Sequence, residues 1–169
     1  MRIYEGSPRQ DWEEVLRSIG GYVDRERLKE ILLLELDAGF IIQALALPNE
    51  SAWTESEGSL SKTTRELPDD DVAELMEVAA AKRTEGPSST PHAAIPNFYE
   101  QALRVVGAYL DGRKPRDVFF FEQDGAFVLR LLVGATGAAA AGHELVEFTK
   151  DDILAMIEAA PQHRDQGAG

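Results

Sequence analysis

DWEEVLRSIGGYVDRERLKEILLLELDAGFIIQALAL, residues 11–47, returns at residues 98–134 as FYEQALRVVGAYLDGRKPRDVFFFEQDGAFVLRLLVG. The two segments align without a gap at an offset of 87, and ten of their 37 positions are identical. The shared residues include Glu13/Glu100, Arg17/Arg104, Gly20/Gly107, Tyr22/Tyr109, Asp24/Asp111, Glu35/Glu122 and Phe40/Phe127. A self-match of this length is the signature of one supersecondary unit used twice.

Within the unit, apolar residues first recur at spacings of three and four, which makes an amphipathic helix. Trp12, Val15, Leu16, Ile19, Tyr22 and Val23 form its stripe; Tyr99, Ala102, Leu103, Val106, Tyr109 and Leu110 form the second. Ser7-Pro8-Arg9-Gln10 and Asn97 with Glu100 supply candidate caps. Two apolar runs then flank Asp37-Ala38-Gly39 or Asp124-Gly125, the pattern of a β-hairpin. A third strand is expected at Leu60–Leu67 and at His143–Phe148, where the offset drops to 81. Closing helices are expected to begin at Pro68–Asp71 and Thr149–Asp152.

The expected fold class is therefore α+β, an internal duplication of an α-β-β-β-α unit with pseudo-twofold symmetry. Residues 1–83 form the first repeat, 84–96 a Pro/Ser/Thr-rich linker, 97–165 the second repeat and 166–169 a flexible tail. Around Asp124-Gly125, Phe119 and Phe121 share one strand face with Val128 and Arg130. Val118 and Phe120 share the other with Phe127, Leu129 and Leu131. Both faces are mainly apolar, unlike an antiparallel sheet with one face in water. This predicts antiparallel sheets with helices on the outer faces, the two halves burying sheet surface against each other. Edge-to-edge pairing and burial in a homodimer are the alternatives.

Composition narrows the function classes. The chain has 169 residues, no cysteine and a net charge of −13. The acidity is spread, net −8 over residues 1–83 and net −5 over 84–169, with no basic cluster to attract a phosphate backbone. Nucleic acid is therefore a disfavoured partner. Absence of cysteine excludes disulfides, thiolate metal sites and cysteine nucleophiles. No apolar run is long enough to span a membrane, and a cytoplasmic location is expected.

The order α-β-β-β-α resembles that of double-stranded RNA-binding domains. Those domains meet phosphates with basic groups, whereas the closing helices here open with Asp69-Asp70-Asp71 and Asp151-Asp152. In size, acidity and class the chain is also similar to the secretion chaperones, acidic dimers that hold partner segments. That resemblance implies a partner-specific chaperone as one alternative function.

Motifs for chemistry are sparse. His92, His143 and His163 lack metal-ligand spacing, and no nucleophile elbow or phosphate loop is present. No cofactor and no metal are expected. The aspartate runs suit helix N-termini. The i,i+4 pairs Glu13/Arg17 and Glu100/Arg104 suit solvated helical ion pairs. Gly20 and Gly107, inside helices, suit close approach of another element. The interaction residues singled out are Trp53, Glu35, Glu122, Phe119 and Phe121. Trp53 is an aromatic without a counterpart in the other copy; Glu35 and Glu122 are carboxylates in apolar strands. The leading expectation is a non-catalytic protein-binding or scaffold module that self-associates, its partner a second copy (a homodimer) or another protein. The enzyme alternative places a small-molecule pocket between the repeats, with Glu35, Glu122 or His143 as acid/base groups.

Overall fold

The computed structural model describes residues 12–46, 61–84, 98–113, 115, 117–123, 125–133 and 142–159. Ten elements follow in order: α1 (Trp12–Arg25), β1 (Leu28–Leu36), β2 (Gly39–Ala46), β3 (Ser61–Pro68), α2 (Asp69–Thr84), α3 (Phe98–Arg113), β4 (Asp117–Gln123), β5 (Ala126–Val133), β6 (Gly142–Phe148) and α4 (Lys150–Ala159). The protein is α+β, with four helices and one antiparallel sheet ordered β3-β2-β1-β4-β5-β6.

The expected face-to-face packing is replaced by the edge-to-edge alternative. β1 and β4 pair antiparallel through Leu32–Phe121, Leu33–Phe120 and Leu34–Phe119, so the two groups of three strands make one sheet. All four helices contribute to a single core on one face of it. Phe40, Ile42, Leu33, Phe120, Phe127 and Leu129 point into that core and are almost fully buried. The hairpin alternation read from the sequence is retained: Phe119 lies opposite Arg130, and Phe121 opposite Val128.

The most extensive helix contact is between α1 and α3, which run antiparallel. A Cβ built on Gly20 would lie 2.3 Å from the carbonyl oxygen of Tyr99; one on Gly107 would lie 2.3 Å from that of Trp12. Glycine is required because backbone meets backbone. The same contact caps both helices. Asp24, near the end of α1, accepts the N–H groups of Tyr99 (3.2 Å) and Glu100 (2.9 Å). Asp111, near the end of α3, accepts those of Trp12 (2.8 Å) and Glu13 (3.1 Å). Orphan N–H groups of each first turn are thus satisfied by the other helix. Ser7, Gln10 and Asn97 lie outside the described residues.

The ion pairs differ from the expected i,i+4 pattern. Arg17 Nε donates to Glu100 at 3.1 Å, and Arg104 Nη1 lies 3.4 Å from Glu13 Oε1. Both arginines are buried, so their charges need partners inside the interface. The closing helices begin within the expected stretches, α2 at Asp69 and α4 at Lys150. Asp69 N–H donates to the Ala38 carbonyl, and Thr149 and Asp152 form a reciprocal capping box.

Gly20→Ala is expected to destabilise the fold by at least ~2 kcal/mol, because the new methyl meets rigid backbone. Gly21→Ala, one residue along with nothing within 4 Å, is expected to stabilise by up to ~1 kcal/mol through helix propensity. Urea unfolding of the two variants checks the contrast.

Candidate functional site

Helices cover one face of the sheet; the other carries alternate residues of all six strands. Two adjacent cross-strand rows define it. One runs Glu66, Ile41, Leu34, Phe119, Arg130, Leu145; the next runs Thr64, Gln43, Leu32, Phe121, Val128, Glu147. Leu36, Leu45 and Leu132 extend the apolar surface along the strands. No described element packs on this face. Leu145 is 71 % exposed and Leu36 40 %. Near the centre the Phe119 and Phe121 rings lie 5.8 Å apart. Charged side chains flank the apolar centre, Lys62 and Glu66 on β3, Arg130 and Glu147 on β5 and β6, all exposed.

A concavity of about 530 Å³ opens where β1 and β4 separate beyond their three-residue pairing. Leu32, Leu45, Phe119 and Phe121 line it, together with Lys62 and Glu122. A bulge in β1 shapes its wall. The register shifts between Lys29 and Leu32, and Glu30 takes a left-handed φ of 49°. Such a conformation is uncommon for a residue with a side chain.

Glu122 sits in that split. Tyr99 Oη, from the first turn of α3, donates to Glu122 Oε2 at 2.7 Å, and Ile31 N–H approaches the same oxygen at 3.5 Å. Burial raises the Glu122 carboxyl above the ordinary carboxylate range, although the bonds from Tyr99 and Ile31 oppose the rise. Burial, with the Glu122 bond second, also pushes the Tyr99 phenol upward. The pair holds its proton on the phenol and is suited to bracing the split strands.

The residues singled out from the sequence do not converge. Phe119 and Phe121 lie on the open face. Glu122 is paired in register with the core residue Phe127 and bonded to Tyr99 of α3, so it belongs to the helix side and reaches the concavity through the split between β1 and β4. Glu35 is only 9 % exposed and paired in register with the core residue Phe40, so it belongs to the helix side. His143 is exposed on the outermost strand, two strands from β4. Trp53 lies outside the described residues. Among the described residues no group of His, Asp and Glu has metal-binding geometry.

Sequence reasoning missed Tyr99 and the bulge. Tyr99 reads as one more position in an apolar stripe, and Lys29-Glu30 contains no glycine to mark a left-handed residue. The exchange between Asp24 and Asp111 left a trace only in their repetition. No family model matches the chain, and neither curated proteins nor solved structures give a match.

A pH prediction follows from Glu122. Its folded pKa is raised, so its contribution to stability is full below the ordinary carboxylate value and is lost as pH rises through the folded value. Glu122→Gln keeps an acceptor for Tyr99 without the ionisation cost. Urea unfolding should find the variant more stable than the parent at pH 7.5, with the advantage vanishing as pH falls towards 4.

Proposed function

We propose that this chain is an internally duplicated, non-catalytic binding or scaffold module, and that the open sheet face is its binding surface. One observation carries the proposal: an apolar surface across the central strands β2, β1, β4 and β5, centred on Phe119 and Phe121 and flanked by charged residues. Large contiguous apolar patches on folded proteins mark interaction sites. Selection for folding alone would place polar residues there, as in an antiparallel sheet wetted on one side.

The duplication has support from contacts that recur in pairs. Asp24 and Asp111, Gly20 and Gly107, and Glu13 and Glu100 are each separated by 87 residues and make exchanged contacts. A pseudo-twofold axis normal to the sheet through the Leu33–Phe120 pair accounts for all of them. At the helical seam the backbones of α1 and α3 are in contact. The enzyme alternative is confined to the concavity at the β1–β4 part of the seam, where Glu122 is on the lining and its carboxylate is engaged by Tyr99.

The test compares the parent with a Phe119→Ser/Phe121→Ser variant by sedimentation velocity and by fluorescence of the apolar dye bis-ANS. The parent is expected to associate, or to take up the dye, while unfolding cooperatively. The variant is expected to lose both properties and keep a cooperative thermal transition. A parent that is monomeric and binds no dye contradicts the proposal.

A further inference from the structure

We infer that the partner of the open face is a second copy of this chain, packed sheet face on sheet face. The inference rests on the binding role proposed above and specifies its occupant. Area, charge and composition each bear on it.

Six strands about 4.8 Å apart, each with about seven residues rising ~3.3 Å, present a face of roughly 650 Å². Two such faces bury about 1,300 Å², within the range of specific stable interfaces. Sheets packed in this way stand ~10 Å apart with their side chains interdigitated, as in a β-sandwich. A short peptide strand would cover only part of a surface six strands wide.

The molecule carries −13, which would oppose self-pairing if the charge lay on this face. It does not. By register, Lys29, Lys62 and Arg130 are matched in number by Glu66, Asp117 and Glu147. Each flank carries one charge of each sign, Lys62 and Glu66 on one side, Arg130 and Glu147 on the other. A dyad lying between two facing sheets brings each flank against a flank of mixed sign, whether it runs along the strands or across them. The face is therefore compatible with itself, as an isologous interface requires. The acidity elsewhere favours solubility of the assembly.

The stretches outside the described residues offer few large apolar side chains for the face: Met1, Ile3 and Tyr4 in 1–11, Leu47, Trp53 and Leu60 in 47–60, Ile95 in 85–97, and none in 134–141 or 160–169. A second copy supplies matching apolar surface in one step.

The experiment uses the full chain. Sedimentation velocity from 1 to 100 µM is expected to show a species of twice 18.6 kDa. Phe121→Glu, which puts a charge at the centre of the contact, should raise the dimer dissociation constant by about 30-fold or more. Leu145→Glu, at an already exposed position, keeps the test valid if the first variant folds poorly; it should weaken the dimer by about 3- to 10-fold. Since the chain lacks cysteine, Leu34→Cys and Glu77→Cys provide single thiols on the face and on exposed helix α2. Raising the concentration from 1 to 100 µM should slow maleimide labelling of the first by about 10-fold or more and leave the second unchanged. A monomer at every concentration that still takes up bis-ANS overturns self-pairing and leaves the binding surface for another partner. A monomer that takes up no dye overturns both. A dimer in which Leu34→Cys labels as fast as in the monomer also overturns the inference, because the copies then meet elsewhere.

Discussion

The backbone contact between α1 and α3 is the constraint on which the rest of the structure depends. Gly20 and Gly107 let the two helices touch without side chains between them. Asp24 and Asp111 exploit that closeness by capping the opposite helix. Arg17 and Arg104 do so by reaching carboxylates across the interface. An unpaired buried arginine would be costly, so each ion pair ties the position of one helix to the other. With the helices fixed, β1 and β4 are brought alongside and pair centrally, and two three-stranded units become one sheet.

This joint accounts for which sheet face is covered. Both long helices are committed to each other on one side, and α2 and α4 pack beside them. None of the described helices lies on the far side. The apolar residues there take no part in the core formed by the described residues, and this residue pattern underlies the proposed binding role. The split between β1 and β4, with Tyr99 and Glu122 beneath it, is a local consequence of strands that pair for only three residues before the bulge at Glu30.

Much of the fold was legible because its determinants are local. Helical stripes, hairpin turns and aspartate-led closing helices each depend on neighbours within a few residues, and the elements lie close to their expected bounds. The two-faced apolar character of β4 and β5 was legible for the same reason. Its interpretation was not: alternation shows that Phe119 and Phe121 share a face, but not what that face meets. An apolar face buried between sheets and one left open give the same pattern. The exchanged ion pairs were hidden similarly, since Glu13 and Arg17 satisfy the helical i,i+4 rule as well as a rule across two helices. Glu35 and Glu122 are equivalent in sequence and both lie on the helix side, opposite Phe40 and Phe127, but Glu122 sits beside the β1–β4 split, where it is bonded to Tyr99.

The central claim is that the α1–α3 seam is a fixed joint shared by the whole chain, which leaves the opposite sheet face for binding. Native-state hydrogen exchange of four backbone amides tests it directly: Trp12, Glu13, Tyr99 and Glu100. Amides in a first helical turn ordinarily exchange quickly. Here carboxylates of the opposite helix hold them, so they should exchange through global unfolding, with the same denaturant dependence as core amides such as those of Leu33 and Phe120. Fast exchange of these four, independent of denaturant while the core remains protected, would contradict the account, because the seam would then open on its own.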